Sequence, residues 1–290
     1  MRKEAGEWSD PVSYLRRAFA QNQFTLYCQP IAALSGVVLY PMAEVLIRLR
    51  EEETALLPPG DFLPALEHYG MMPELDRWVL REVLNRLATG PEIARFSVNV
   101  SRQTVADASF PDFVAEALAA RRIPAECIVF EIEETDAQTA PSAARRFCAT
   151  LGSLGCGVLI DGFGRCEDPI ALLRLPCLQY VKLHGSLTRK LATDEAAVAK
   201  LSTLVALALG HGIAPIAECV EDDEILARLQ ALKVRYAQGF GICVPQTIDL
   251  ISELPAMRFG EHSATRPQLV PLQGLLDLTL NPGEARWAPA

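Results

Sequence analysis

The strongest constraint on this chain is a regular alternation of strand-like and helix-like segments. FTLYCQPIA, starting at Phe24, reads as a strand, and a turn at Ser35-Gly36 leads into a second, VVLYPMAEVLIRL. ARFSVNV, CIVFEI, GCGVLID, LQYVKL, IAPIAE and YAQGF then recur along the chain. Most are followed by a stretch with apolar residues at three- and four-residue steps, the helical period. The expected helices are Asp10 to about Asn22, one within PPGDFLPALEHYG, Met72–Leu87, one around Phe113–Arg121, and Ala140–Leu154. A short one near Ile170, Glu195–Gly210 and Asp222–Leu232 complete the set. Asp10-Pro11 starts the first as an N-cap followed by proline at the first helical position. About eight strands alternating with helices imply mainly parallel pairing through right-handed crossovers. That number favours a closed α/β barrel. The competing doubly wound sheet would carry a glycine-rich phosphate loop after its first strand, and none is present.

Composition narrows the function classes. The chain has 290 residues, half of them apolar, which is enough for one large core. The net charge of −9 gives no general attraction for DNA, RNA or an anionic membrane. An anionic ligand would need local groups or metal ions. None of the eight cysteines (Cys28, Cys127, Cys148, Cys156, Cys166, Cys177, Cys219 and Cys243) forms a CxxC pair. They read as buried free thiols of a reducing compartment, not as a zinc site. MRKEAGEWSDPVSYL lacks the apolar run of a secretory signal, and no apolar run approaches a membrane span. A cytoplasmic location is expected.

The informative polar residues are those that close strands. Glu44 interrupts an apolar strand and Asn99 lies in SVNV. Glu131 ends VFE, Asp161 ends VLID, Lys182 follows YV, Glu218 ends PIAE and Gln238 closes YAQ. In a parallel barrel these ends share one face, the face on which active sites form. One strand-end glutamate is commonly a cap or an ion-pair partner; seven such positions in one chain point to a site. Four carboxylates there repel unless cations intervene, and one lysine does not neutralise them. Hard oxygen donors of this kind suit Mg²⁺, Mn²⁺ or Ca²⁺. The residues alone therefore suggest a metal-dependent site for an anionic substrate such as a phosphate ester.

YCQPI, AEVLIRL, FSVNVS, FEIEET, LIDGFG, YVKLHG, IAECVE and AQGFGICVP occur in this order between about residues 14 and 250. In this the chain resembles the EAL family of cyclic di-GMP phosphodiesterases. The resemblance implies a modified TIM-like (β/α)8 barrel with one reversed strand. It implies that Glu44, here in the triplet Glu44-Val45-Leu46, holds a first metal with Asn99, Glu131 and Asp161. Lys182 would lie near the attacking water, and Glu218 and Gln238 around the second metal and its waters. Glu134 would brace a loop over the site. Gln29 and Arg48 would contact the dinucleotide, and Glu221 matches a second glutamate of the IAECVE segment. The implied partners are cyclic di-GMP and a protein of the signalling pathway, with a homodimer left open and no nucleic acid or membrane.

Three departures bear on activity. The family usually carries Asp-Asp-Phe-Gly where this chain has Asp161-Gly162-Phe163-Gly164. The following loop, Arg165-Cys166-Glu167-Asp168-Pro169, is unrelated to the usual one, and Lys-Ile-Asp has become Lys182-Leu183-His184. Glycine supplies no ligand oxygen. One Mg²⁺ or Mn²⁺ site is thus expected intact and a second weakened, and losing one such stabiliser costs about 10²–10³ in rate. The favoured expectation is a domain that binds cyclic di-GMP with hydrolysis to pGpG weak or lost. An active phosphodiesterase and a non-catalytic interaction scaffold are the alternatives. Arg165 is either a cation near the vacated position or a solvated surface residue. The expected organisation is a helical lead-in over 1–22, a barrel over 23–257 and an appendage over 258–290.

Overall fold

A computed structural model describes residues 8, 10–34, 40–50, 56–90, 93, 95–166 and 168–249. The expected turn at Ser35-Gly36, Glu167 and the appendage over 258–290 lie outside these. After a first helix, α1 (Pro11–Ala20), come strands β1 (Phe24–Ala33), β2 (Met42–Arg50) and β3 (Leu56–Leu57). Helices α2 (Pro59–His68) and α3 (Met72–Leu87) precede β4 (Phe96–Asn99), and α4 (Arg102–Ala106) and α5 (Phe110–Arg121) follow it. Then come β5 (Ile128–Glu133), α6 (Glu134–Thr139), α7 (Pro141–Leu154), β6 (Gly157–Phe163) and β7 (Leu178–Leu183). The described chain closes with α8 (Gly185–Thr188), α9 (Glu195–Gly210), β8 (Ala214–Ala217), α10 (Asp223–Ala231), β9 (Tyr236–Ala237) and β10 (Gln246–Thr247).

Eight of these strands close a barrel in the order β1-β2-β4-β5-β6-β7-β8-β9. Strand β1 runs antiparallel to both its neighbours, β2 and β9. Every other pairing around the ring is parallel. This is the TIM-like barrel with one reversed strand. The two-residue strands β3 and β10 are additions at its edge that the sequence pattern did not suggest. Helices α4, α6 and α8 were also unforeseen, because elements of four to six residues are too short to display a helical period. Helix α5 begins at Phe110, earlier than expected, since Pro111 in its first turn needs no hydrogen-bond acceptor.

Strand alternation sends every second side chain to the barrel axis. Ile31, Met42, Val129, Leu159 and Ile216 form a buried apolar plug there, with Tyr180 and Tyr236 packed against it. The larger core lies between sheet and helices. In it the rings of Phe110, Phe130 and Phe147 join α5, β5 and α7 at centroid separations of 5.8, 6.0 and 6.2 Å. The plug fills the barrel interior one layer below the strand ends that carry the polar residues.

Candidate functional site

Two residues beyond each plug residue, toward the C-terminal ends of the parallel strands, the inward side chain becomes polar. Met42 is followed by Glu44, Val129 by Glu131, Leu159 by Asp161, Tyr180 by Lys182, Ile216 by Glu218 and Tyr236 by Gln238. In reversed β1 the order inverts: Gln29 precedes Ile31 and pairs in register with Glu44. The polar ring is thus the next layer of the barrel.

The layer is tightly bonded on one side. Asn99 Nδ2 donates to Glu44 Oε1 at 3.1 Å, and Gln238 Nε2 donates to Glu44 Oε2 at 2.8 Å and to Gln29 Oε1 at 3.2 Å. Gln29 Nε2 in turn donates to the Cys243 carbonyl at 2.9 Å. The fully buried Lys182 ammonium stands among three carboxylates: Glu131 at 2.6 Å, Glu44 at 2.9 Å and Glu218 at 4.0 Å. Gly239 lets the backbone of Val220 approach so closely that a Cβ would collide with it, and Val220 N–H donates to the Gln238 carbonyl. That approach fixes the ends of β8 and β9 together.

One ammonium cannot balance four carboxylates. Burial pushes Glu44 up, but the Lys182 charge and the hydrogen bonds from Lys182, Gln238 and Asn99 outweigh it and hold Glu44 below its ordinary value. Burial raises Glu131 to about 8; Lys182 opposes this, while the charges of Glu44 and Asp161 add to it. Glu218 is likewise raised to about 8 by burial, against Lys182 and with the help of Asp161, Glu44 and Glu131. The ammonium is therefore best paired with Glu44, while Glu131 and Glu218 hold their protons well above the usual carboxylate range. Such a layer is poised to exchange protons for a cation.

The donor set fits a hard divalent cation, and Glu131 Oε1 is buried without a hydrogen-bond partner. Among the described residues, no three acidic, imidazole or thiol groups stand spaced around one point as cation ligands do. Lys182 holds the carboxylates in that place, so metal entry requires it to yield.

The other side of the mouth is looser. Asp161 Oδ1 accepts from Gly162 N–H at 2.9 Å, and Gly162 has a φ of +69°, the left-handed region. Arg165 Nη1 lies 3.4 Å from Glu133 Oε2, and both side chains are nearly half exposed. The loop after β6 is nevertheless tied down. Glu134 Oε1 accepts from Gly164 N–H at 3.0 Å and Oε2 from Cys166 N–H at 2.8 Å. Because the donors are backbone amides, this brace survives the unrelated loop sequence. His184 bonds Ser186 Oγ at 2.7 Å through Nδ1, so its ring serves the start of α8. Arg48 lies over the Tyr27 ring at 5.6 Å and donates to the Ile47 carbonyl. Glu221 is exposed, outside the ring. Beside Asn99 a cavity of about 470 Å³ is lined by Leu46, Pro59, Met72, Arg102 and Glu133.

Glu133 is the residue that motif reading passed over. It lies two residues beyond Glu131, so the period of two already places it on the inward face. All eight cysteines are free, five of them buried.

Fold and mouth together define a TIM-like barrel with an acidic, amide-lined mouth at the C-terminal ends of its parallel strands. The chain belongs to the EAL domain family, whose model matches residues 13–245. It is 31% identical over 251 residues to the cyclic di-GMP phosphodiesterase PdeF of Escherichia coli, covering 85% of this chain and 33% of that protein. It is 29% identical over 264 residues to the cyclic di-GMP phosphodiesterase PdeB of Shewanella oneidensis, covering 90% of this chain and 30% of that protein. The chain thus spans about a third of the length of these two relatives. Among solved structures, it resembles the FimX EAL domain of Pseudomonas aeruginosa bound to c-di-GMP. The TM-score is 0.77 at 29% identity, covering 81% of this chain and 96% of that one.

Proposed function

We propose that this chain binds cyclic di-GMP at the barrel mouth and that its metal-dependent hydrolysis to pGpG is weak or lost. The observation that carries this reading is the contrast within the mouth. Gln29, Glu44, Asn99, Lys182 and Gln238 form one continuous bonded set, whereas position 162 holds a glycine at φ +69°. The cavity beside Asn99, with its apolar walls and Arg102, suits a flat purine base next to a phosphate site. The similarity to an EAL domain described as bound to c-di-GMP supports the ligand.

Glu44, Asn99, Glu131 and Asp161 would hold one tight cation, Mg²⁺ or Mn²⁺, in the absence of nucleotide. A bound cation would act as a Lewis acid on a phosphoryl oxygen and lower the pKa of water. Lys182, freed from Glu131, would carry positive charge to the non-bridging oxygens, and Gln238 would orient what Glu44 releases. Glu134 would position the loop through the Gly164 and Cys166 amides. Hydrolysis adds water across one P–O ester bond of the ring. A second reading, an active phosphodiesterase, is favoured by the intact Glu134 brace and by the names of PdeF and PdeB. The barrel, proposed over 23–257, would work in the cytoplasm; among the described residues no helix is long and apolar enough to cross a membrane. A homodimer and a signalling protein are its proposed partners.

The test is a calorimetric titration with cyclic di-GMP, run beside a turnover assay with Mg²⁺ and with Mn²⁺. Binding with little pGpG is expected. Rapid turnover would favour the second reading, and absence of binding would leave an interaction scaffold.

A further inference from the structure

We infer that Glu133 supplies the carboxylate that position 162 lacks, as a donor shared with Asp161 to a second, weaker divalent cation at the β5–β6 rim. The inference rests on the metal-dependent reading above. Four observations carry it. Glu133 and Asp161 are register partners on adjacent parallel strands. Both continue the inward rows of their strands, Glu133 from Val129 and Glu131, and Asp161 from Leu159.

The second observation is one of space. A Cβ built on Gly162 would lie 3.4 Å from Glu133 Oε2. The Glu133 carboxylate therefore stands beside the position from which a side chain at 162 would project. The same negative charge reaches the rim from the neighbouring strand.

Third, little holds Glu133 back. Its ion-pair partner, Arg165, is 3.4 Å away, with 45% and 42% of the two side chains exposed. A pair of that length and exposure is weak, and a divalent cation outcompetes a guanidinium for a carboxylate. Fourth, Glu131 Oε1, one pleat deeper on the same face of β5, is buried and has no hydrogen-bond partner.

Arg165 then has a defined part. It neutralises Glu133 when the second cation is absent and competes with that cation for the carboxylate. Second-site affinity in this chain is set by the balance between Glu133 and Arg165.

The experiment is a nucleotide-free Mn²⁺ titration followed by electron paramagnetic resonance of free Mn²⁺. It uses the parent, Glu133→Gln and Arg165→Ala, each checked for folding by circular dichroism. The parent should show one tight site and one weaker site. Glu133→Gln should weaken the weaker site by about tenfold or more, since even outer-shell partners of a metal contribute that much, and leave the tight site unchanged. Arg165→Ala should shift the same site the other way. An unchanged isotherm in Glu133→Gln, with the tight site still filled, overturns the inference and leaves the metal-dependent reading standing. A parent that binds no Mn²⁺ overturns both.

Discussion

The two halves of the barrel mouth are built differently. Around β9, β1, β2 and β4, each polar group is held by another: Gln29, Glu44, Asn99 and Gln238 are joined by hydrogen bonds of 2.8–3.2 Å. Around β5 and β6, Asp161 bonds its neighbour's backbone, and Glu133 meets Arg165 at 3.4 Å in partial contact with solvent. The first half is locked into one hydrogen-bonded arrangement. The second keeps its backbone in place through Glu134 but has exchanged the side chains that the backbone presents.

The largest effect should come from the shared ammonium. Lys182→Met leaves Glu44 and Glu131 buried beside each other, which should cost the metal-free protein about 3 kcal/mol at pH 8. Urea unfolding measures this, and Mn²⁺ should return part of it. A cost below about 1 kcal/mol would mean that the tight half is held by its amides alone.

Glu134→Ala comes next. It removes the acceptor for Gly164 and Cys166 N–H, and charged hydrogen bonds of this kind support about 2 kcal/mol of stability. Cyclic di-GMP affinity should fall much less than hydrolysis, since the Gln29–Glu44–Gln238 side is untouched. Equal losses would show that the two halves act as one unit.

A pH series sharpens the same contrast. Glu131 and Glu218 hold protons up to about 8 in the folded chain, against an ordinary value of 4.5. The folded state thus binds protons that the unfolded chain has released. The stability this confers is full below 4.5 and is lost as pH rises through about 8. The melting temperature in EDTA should fall over that interval. The decline should flatten in Glu131→Gln/Glu218→Gln and in excess Mn²⁺. An unchanged slope in the double variant would place the titration elsewhere.

The smallest effect is expected from Gly162→Asp. The φ of +69° strains any residue with a Cβ, and the new carboxylate would project toward Glu133 Oε2. Turnover should change by less than about tenfold, although a well-placed stabiliser is worth about 10²–10³. Rapid hydrolysis to pGpG from this single change would show that the rim needed only its missing aspartate.

Much of this was legible in the chain itself. Alternation of strand and helix gave a barrel, and the strand-closing positions of Glu44, Asn99, Glu131, Asp161, Lys182, Glu218 and Gln238 placed them at one mouth. The reversal of β1 was legible only through the family resemblance, because a strand's direction leaves no trace in its residues. Periodicity is a local property, so it determines which face each side chain takes and at which end of a strand it lies. Tertiary structure alone decided which of those groups touch. That the Lys182 ammonium reaches Glu131 and Glu44, and that Glu133 Oε2 stands 3.4 Å from where a Cβ at position 162 would lie, depends on register between strands far apart in sequence. Register is fixed by how the apolar plug packs across the whole barrel, and no single segment contains that information.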